Sequence, residues 1–296
     1  MPLFDLSSVF SRIRLLGSGR LDFLHRISTA DLRALRAGEG KPAVLATPIG
    51  RMVDYLFVLA FETSALLLGG GGNQEKVVRW LRKYIFFNDD VQVQDESALG
   101  RLWGLDDQAA RAICAHWGAD EPAHDLPEYA HQTSCLPAGG SLTFLRAPRA
   151  LGLDWLLLSQ GLDDAAEARP AQDFDAWRIA HGYPLFPNEI NEDYLPLEAG
   201  LWSAVSFAKG CYTGQEVLAR MESRGQIAKR LVRLTASAPI AAGAALSDER
   251  GEPVGQVTSA AAGAALAYVR SAFAQVGREL YASPECALRV AEVVRI

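Results

Sequence analysis

From about Lys229 onward the chain reads as short alternating strands separated by glycine and small-residue turns: Leu231 to Thr235, Glu252 to Ser259, Ala264 to Val269 and Ala287 to Val294. Strands this short, at near-regular spacing, bury one face each by closing into a small sandwich or barrel. An all-β module is therefore expected over residues 228–296, with a change of character near Gln226 to Lys229. Residues 1–227 must fold separately, and a chain of 296 residues has room for both at about 150 residues per domain.

The first part mixes helix and strand. Leu21 to Ile27 reads as a short helix after the Gly17-Ser18-Gly19 turn, and Met52 to Phe61 as a buried strand rich in Val, Leu and Phe, with Ser64 to Leu68 as its hairpin partner. Gly69 to Gly72 then break the strand. Asn73 is placed to cap a helix whose Val77, Val78, Leu81, Tyr84 and Ile85 share one face. The four glycines lack the Gly-Lys-Ser/Thr of a phosphate loop and the G-x-G-x-x-G of a dinucleotide site, so they read as a turn. Residues 103–140 read as loop-rich around one helix, Gln108 to His116. Strands follow at Leu142 to Leu145 and Asp154 to Ser159, then a helix from Asp163 to Ala180 interrupted by Pro170.

Charge and apolar content narrow the function. A formal charge of -6 provides no global positive field for a nucleic-acid backbone, although a local basic patch is allowed. No apolar stretch approaches the roughly 18 residues of a membrane helix, and the N-terminus lacks the pattern of a signal peptide, so a cytoplasmic location is expected. Cys114, Cys135, Cys211 and Cys286 are too widely spaced for the usual zinc or iron-sulfur ligand pairs and read as thiols. The histidines form no H-x-x-x-H or H-E-x-x-H pattern.

Chemistry concentrates in Leu195 to Arg224, LPLEAGLWSAVSFAKGCYTGQEVLARMESR. Thr213 followed at the third position by Glu216 matches a capping box opening an amphipathic helix, which sets Cys211 just ahead of a helix N-terminus. A helix start and cations such as Lys209, Arg220 or Arg224 favour a thiolate, so Cys211 is either a reactive thiol or a small buried hydrophobe.

The run Lys209-Gly210-Cys211-Tyr212-Thr213-Gly214-Gln215-Glu216 resembles the K-G-C-Y-x-G-Q-E signature of YgfZ-type folate-binding proteins, relatives of the aminomethyltransferase of glycine cleavage. Trp177-Arg178-Ile179, Pro196-Leu197-Glu198 and the Arg220, Arg224, Arg230 series follow the family order. So do Gly19 to Leu24, Gly50-Arg51 leading into a strand, Val254 to Ser259 and Gly263 to Arg270. The resemblance implies an α+β chain of ring-like tripartite architecture, with two α+β units in residues 1–227 and a small C-terminal β-barrel in 228–296. It also implies tetrahydrofolate, or a one-carbon derivative of it, as the ligand. Cys211 and Asp54 become the candidate catalytic residues, and Arg178, Glu198, Lys209, Tyr212, Gln215, Glu216 and Arg220 the candidate folate-binding residues. The implied role is support of iron-sulfur cluster assembly or repair in client enzymes, with iron-sulfur client or assembly proteins as partners and tRNA modification touched only through those clients; the acidic charge and the short apolar stretches speak against nucleic acid or membrane as a direct partner.

A true aminomethyltransferase is the rival within the same resemblance. Those enzymes carry an acidic pair on the strand after the glycine turn, whereas here Gly50-Arg51-Met52-Val53-Asp54-Tyr55 keeps one acid. A lone acid on a buried strand acts as an acid or base if burial lifts its pKa toward neutrality; the competing reading is an aspartate at a strand edge or in a surface salt bridge. A third reading is a folate sensor or scaffold without turnover, in which Cys211 serves a cluster or a partner thiol.

Overall fold

All nine residues of Met52–Ala60 are buried, which requires cover on both faces of the strand they form. The computed structural model describes residues 2–137, 139–162, 171–283 and 285–296, without the side chain of residue 172. In chain order its elements are β1 (Leu3–Asp5), β2 (Phe10–Leu16), α1 (Arg20–Ile27), β3 (Gly40–Ala46), β4 (Met52–Ala60), β5 (Ser64–Gly70), α2 (Gln74–Lys83) and β6 (Gln92–Asp95). Next come β7 (Arg101–Leu105), α3 (Asp107–Trp117), β8 (His131–Cys135), β9 (Ser141–Arg146), β10 (Trp155–Gln160), α4 (Ala171–Ala180) and α5 (Gln215–Arg224). The last strands are β11 (Lys229–Ala236), β12 (Ala245–Ser247), β13 (Pro253–Ala261), β14 (Ala264–Arg270), β15 (Glu279–Ser283) and β16 (Cys286–Val293).

Two compact units divide the chain, one from Met1–Leu45 and Asp54–Phe174, the other from Ala46–Val53 and Asp175–Ile296. The first contains two five-stranded sheets, ordered β3-β4-β5-β2-β6 and β1-β7-β10-β9-β8. Helix α1 packs on β5, α2 on β2 and β6, and α3 on β7. Val77 and Leu81 face inward from α2, while Val78, Tyr84 and Ile85 are half-buried at its edge. In the second sheet Trp103, Leu105, Phe144, Trp155 and Leu157 form a core with Cys114 from α3.

The second unit carries a closed six-stranded barrel, β11-β14-β13-β12-β15-β16. Alternate residues such as Val232 and Leu234, or Ala265, Ala267 and Val269, point into its core. Register shifts at Arg233/Leu234 and Val257/Ser259 supply the bending that closure needs. The chain is thus a mixed α+β protein with a C-terminal barrel.

Several strands escape a sequence reading. Strand β2, FSRIRLL, looks like a broken apolar run, yet Arg12 is buried, its Nη1 donating to the carbonyls of Ser7 and Phe10 and its Nη2 to that of Ser97. Strand β8 is polar and lies in a region that reads as loop. Gly69 and Gly70, expected to end the hairpin, belong to β5. The stretch 163–170 of the expected helix lies outside the described residues, and α4 begins at Ala171.

Candidate functional site

Asp54 sits on β4 in the first unit and is 1% exposed. Its carboxylate accepts hydrogen bonds from the Tyr55 N–H at 2.8 Å and from the Gly70 N–H at 3.1 to 3.2 Å, and from the Asn73 side chain. Gly69 makes room for it, since a Cβ there would lie 2.7 Å from Asp54 Oδ2 and 3.1 Å from Ser11 Oγ. Burial raises the Asp54 pKa to about 6 against the lowering pull of these donors and, more weakly, of Lys76. The glycine run therefore does more than turn the chain. Asn73 occupies the N-cap position of α2, but its side chain makes no capping bond.

In the second unit the turn between β3 and β4 meets the signature segment. Gly214 adopts φ +83° against this turn, where a Cβ would lie 2.6 Å from the Thr47 carbonyl and 2.9 Å from the Gly50 Cα, so only glycine fits. Because Gly214 is the N-cap of α5 and makes no side-chain cap, the expected Thr213–Glu216 capping box does not form. Cys211 lies ahead of this N-cap and is exposed. Lys209 and Tyr212 on either side are buried: Lys209 Nζ lies 4.8 Å from the centroid of the Tyr212 ring, and burial pushes the Tyr212 hydroxyl up to about 12. The Tyr212 hydroxyl finds no hydrogen-bond partner among the described residues. Cys114 is also buried, its thiol pushed up to about 11 by burial and by Glu121 and Asp120.

Glu198 is 4% exposed. Its Oε2 accepts the Leu195 N–H at 3.0 Å and lies 3.9 Å from Arg51 Nη1, which also donates to the Asp193 carbonyl. Nearby, Tyr194 stacks on Tyr268 with centroids 3.5 Å apart, and Lys229 Nζ sits 5.6 Å from the Tyr194 ring. Burial first, then carboxylates including Glu189 and Glu198, raise both tyrosine pKa values. Glu198 and Arg51 thus set a buried carboxylate beside a guanidinium, the pairing that recognises groups able to donate and accept hydrogen bonds side by side.

Arg178 is enclosed at 1% exposure. It donates to Asp175 (2.6 Å), Glu189 (2.9 Å), Ser259 (2.8 Å) and the Tyr183 carbonyl (3.2 Å). Glu189 is fully buried, and its other oxygen accepts from Thr258 and Ser259 at 2.6 Å. Arg178 is thereby an internal tie between α4, the 183–189 segment and β13. Glu216 and Arg220 are exposed on the outer side of α5, bordering a groove of about 250 Å³ with Val217, Met221, Arg224 and Gln226, while Gln215 is half-buried at the helix start. Asp54 belongs to one unit and the other eight candidates to the second. Arg51, Asn73, Tyr194 and Glu189 are additions from the structure. Asn73 carries a sequence signal, its place directly after a glycine run, and Glu189 carries none.

The CAF17 C-terminal β-barrel domain family matches residues 229–293. A chloroplastic Arabidopsis thaliana protein named a transferase is 30% identical over 98% of this chain and 70% of its own length. The tRNA-modifying protein YgfZ of Hamiltonella defensa is 29% identical over 76% of this chain and 68% of its own. The crystal structure of the glycine cleavage system aminomethyltransferase T from Bartonella henselae superposes with a TM-score of 0.83 at 23% identity, covering 98% of this chain and 85% of that one, a likeness of fold. The chain belongs to the superfamily of YgfZ-type and aminomethyltransferase-like proteins.

Proposed function

We propose that this protein binds a reduced folate and works in the assembly or repair of iron-sulfur clusters in client enzymes, reaching tRNA modification only through them. The observation that carries the folate reading is Glu198, a buried carboxylate beside Arg51 and near the Tyr194–Tyr268 stack. Its carboxylate suits the donor edge of a pterin, and exposed cations such as Arg220 an acidic tail. When bound, a reduced folate supplies nitrogen atoms that accept or release a one-carbon unit. Lys209, Tyr212 and Gln215 order the signature loop around that ligand, and Arg178 acts by positioning. Exposed Cys211 is the thiol offered to a client. Four cysteines without a disulfide suit a reducing compartment such as the cytoplasm.

The test is calorimetric titration with tetrahydrofolate and its formyl and methylene forms, on the wild type and on Glu198→Ala. Binding to the wild type, weakened at least about tenfold in the variant, is expected from loss of a charged hydrogen bond. Absence of binding to every form overturns the reading. Iron-sulfur enzyme activity in cells carrying Cys211→Ala tests the client role, and unchanged activity removes the thiol from it.

Asp54 favours a second reading, one-carbon transfer of the aminomethyltransferase type. A carboxyl titrating near pH 6 is partly protonated close to neutrality, the condition a proton-transferring group needs. Product formed from an aminomethyl-lipoyl donor, and lost in Asp54→Asn, would promote it.

A further inference from the structure

Helix α2 carries Lys76, Arg79, Trp80 and Lys83 at i, i+3, i+4 and i+7, on the side away from the inward Val77 and Leu81. Lys76, Arg79 and Lys83 are exposed, as is Arg82 beside them, whereas Trp80 is half-buried. Trp80 lies against Tyr84 with ring centroids 4.5 Å apart, and Lys83 Nζ is 5.6 Å from the Tyr84 ring. Directly after this face come Phe86, 61% exposed, and Phe87, 104% exposed.

The turn that presents the two rings is fixed. Phe86 N–H donates to Asp89 Oδ2 at 2.9 Å, Asp89 N–H donates to the Phe86 carbonyl at 3.0 Å, and Arg26 pairs with the same carboxylate. Asp90 is tied to Ser18 through both the backbone N–H and the hydroxyl at 2.7 Å, and its carbonyl accepts the Gly19 N–H. An aromatic pair held in water by an ordered turn loses little entropy on docking, which is how a binding hot spot is built.

We propose that the outer face of α2 and the Phe86–Phe87 turn form a docking surface for a partner protein that presents carboxylates around an apolar pocket. Charge complementarity selects this occupant. Four cations stand on α2 against one acid, Glu75, in a chain whose formal charge is -6. A uniform polyanion, whether a bilayer or a nucleic acid, meets the acidic remainder of the chain as well as Glu75, Asp89 and Asp90. A protein partner need match only the local cations and receive the two rings. The surface lies wholly within the first unit and does not depend on folate binding.

The experiment selects a random-peptide phage library on the full-length protein. Parallel arms use phosphatidylglycerol vesicles and a single-stranded oligonucleotide. Enriched peptides should combine Asp or Glu with bulky apolar residues, and should lose about tenfold or more in affinity to Phe86→Ser/Phe87→Ser and to Arg79→Glu/Lys83→Glu. These side chains lie outside the core, so unchanged melting of the variants separates docking from folding. No enrichment, enrichment indifferent to both variants, or binding confined to vesicles or oligonucleotide overturns the proposal.

Discussion

Asn73 opens helix α2 and gives its side chain to the Asp54 carboxylate instead of to the helix's own N–H groups. An asparagine cap is ordinarily worth about 1 kcal/mol to a helix. The backbone here forgoes that bond and places a neutral donor against a buried acid, keeping the Asp54 pKa lower than burial alone would set it.

Asn73→Ala should therefore raise the Asp54 pKa above its value of about 6. The side-chain carboxyl carbon of Asp54, followed by NMR across pH, reads this directly. An unchanged or lower midpoint would show that Asn73 does not bear on the acid.

Asp54 also sets a pH dependence of stability. Its folded pKa of about 6 lies above the ordinary aspartate value of 3.8 that the unfolded chain has, so the folded state binds the proton more tightly. Relative to alkaline pH, this contributes stability that is fully present below about pH 4 and is lost as pH rises through about 6. The shift corresponds to about 3 kcal/mol at full ionisation. Denaturation of wild type and Asp54→Asn should show the variant gaining relative stability by up to that order between acid and neutral pH. A difference independent of pH would contradict the assignment.

Gly69→Ala forces a Cβ to within 2.7 Å of both Asp54 Oδ2 and Leu56 Cδ2. Overpacking of this kind costs about 1 to 3 kcal/mol and should displace the Asp54 carboxylate. Urea unfolding should show the loss. Gly72→Ala faces open space but has φ +81°, so its smaller cost should come from backbone strain and leave the Asp54 titration unchanged.

Legibility in the sequence follows how local each feature is. Alternation announced the long barrel strands β11, β13, β14 and β16, whereas three-residue β12 and the weakly patterned β15 gave too few positions to count. The signature located Gly214 and Cys211, but not why glycine is required at 214, because the obstructing Thr47 carbonyl lies far away in sequence. Thr213 and Glu216 had the spacing of a capping box, which the positive φ of Gly214 overrode. Glu189 was invisible: its partners Thr258 and Ser259 lie about seventy positions downstream, and an isolated glutamate in a polar stretch looks solvated.

The Arg178–Glu189 pair distinguishes a positioning role from a binding one. Both side chains are buried and pair at 2.9 Å, so truncating Arg178 strands the fully buried Glu189 carboxylate without its counter-charge, at a cost of about 3 to 5 kcal/mol. Arg178→Ala should lower the melting temperature sharply, and removing Glu189 as well should cost less than the sum of the two single changes, because the stranded charge is gone. Glu198→Ala loses a bond to the Leu195 N–H worth about 1 to 3 kcal/mol and should leave the protein folded. Folate affinity measured below each variant's melting transition then separates the roles. Arg178→Ala should retain binding in whatever fraction remains folded, and Glu198→Ala should lose it while folded. If folded Arg178→Ala fails to bind and folded Glu198→Ala binds normally, the assignment of the two residues is reversed.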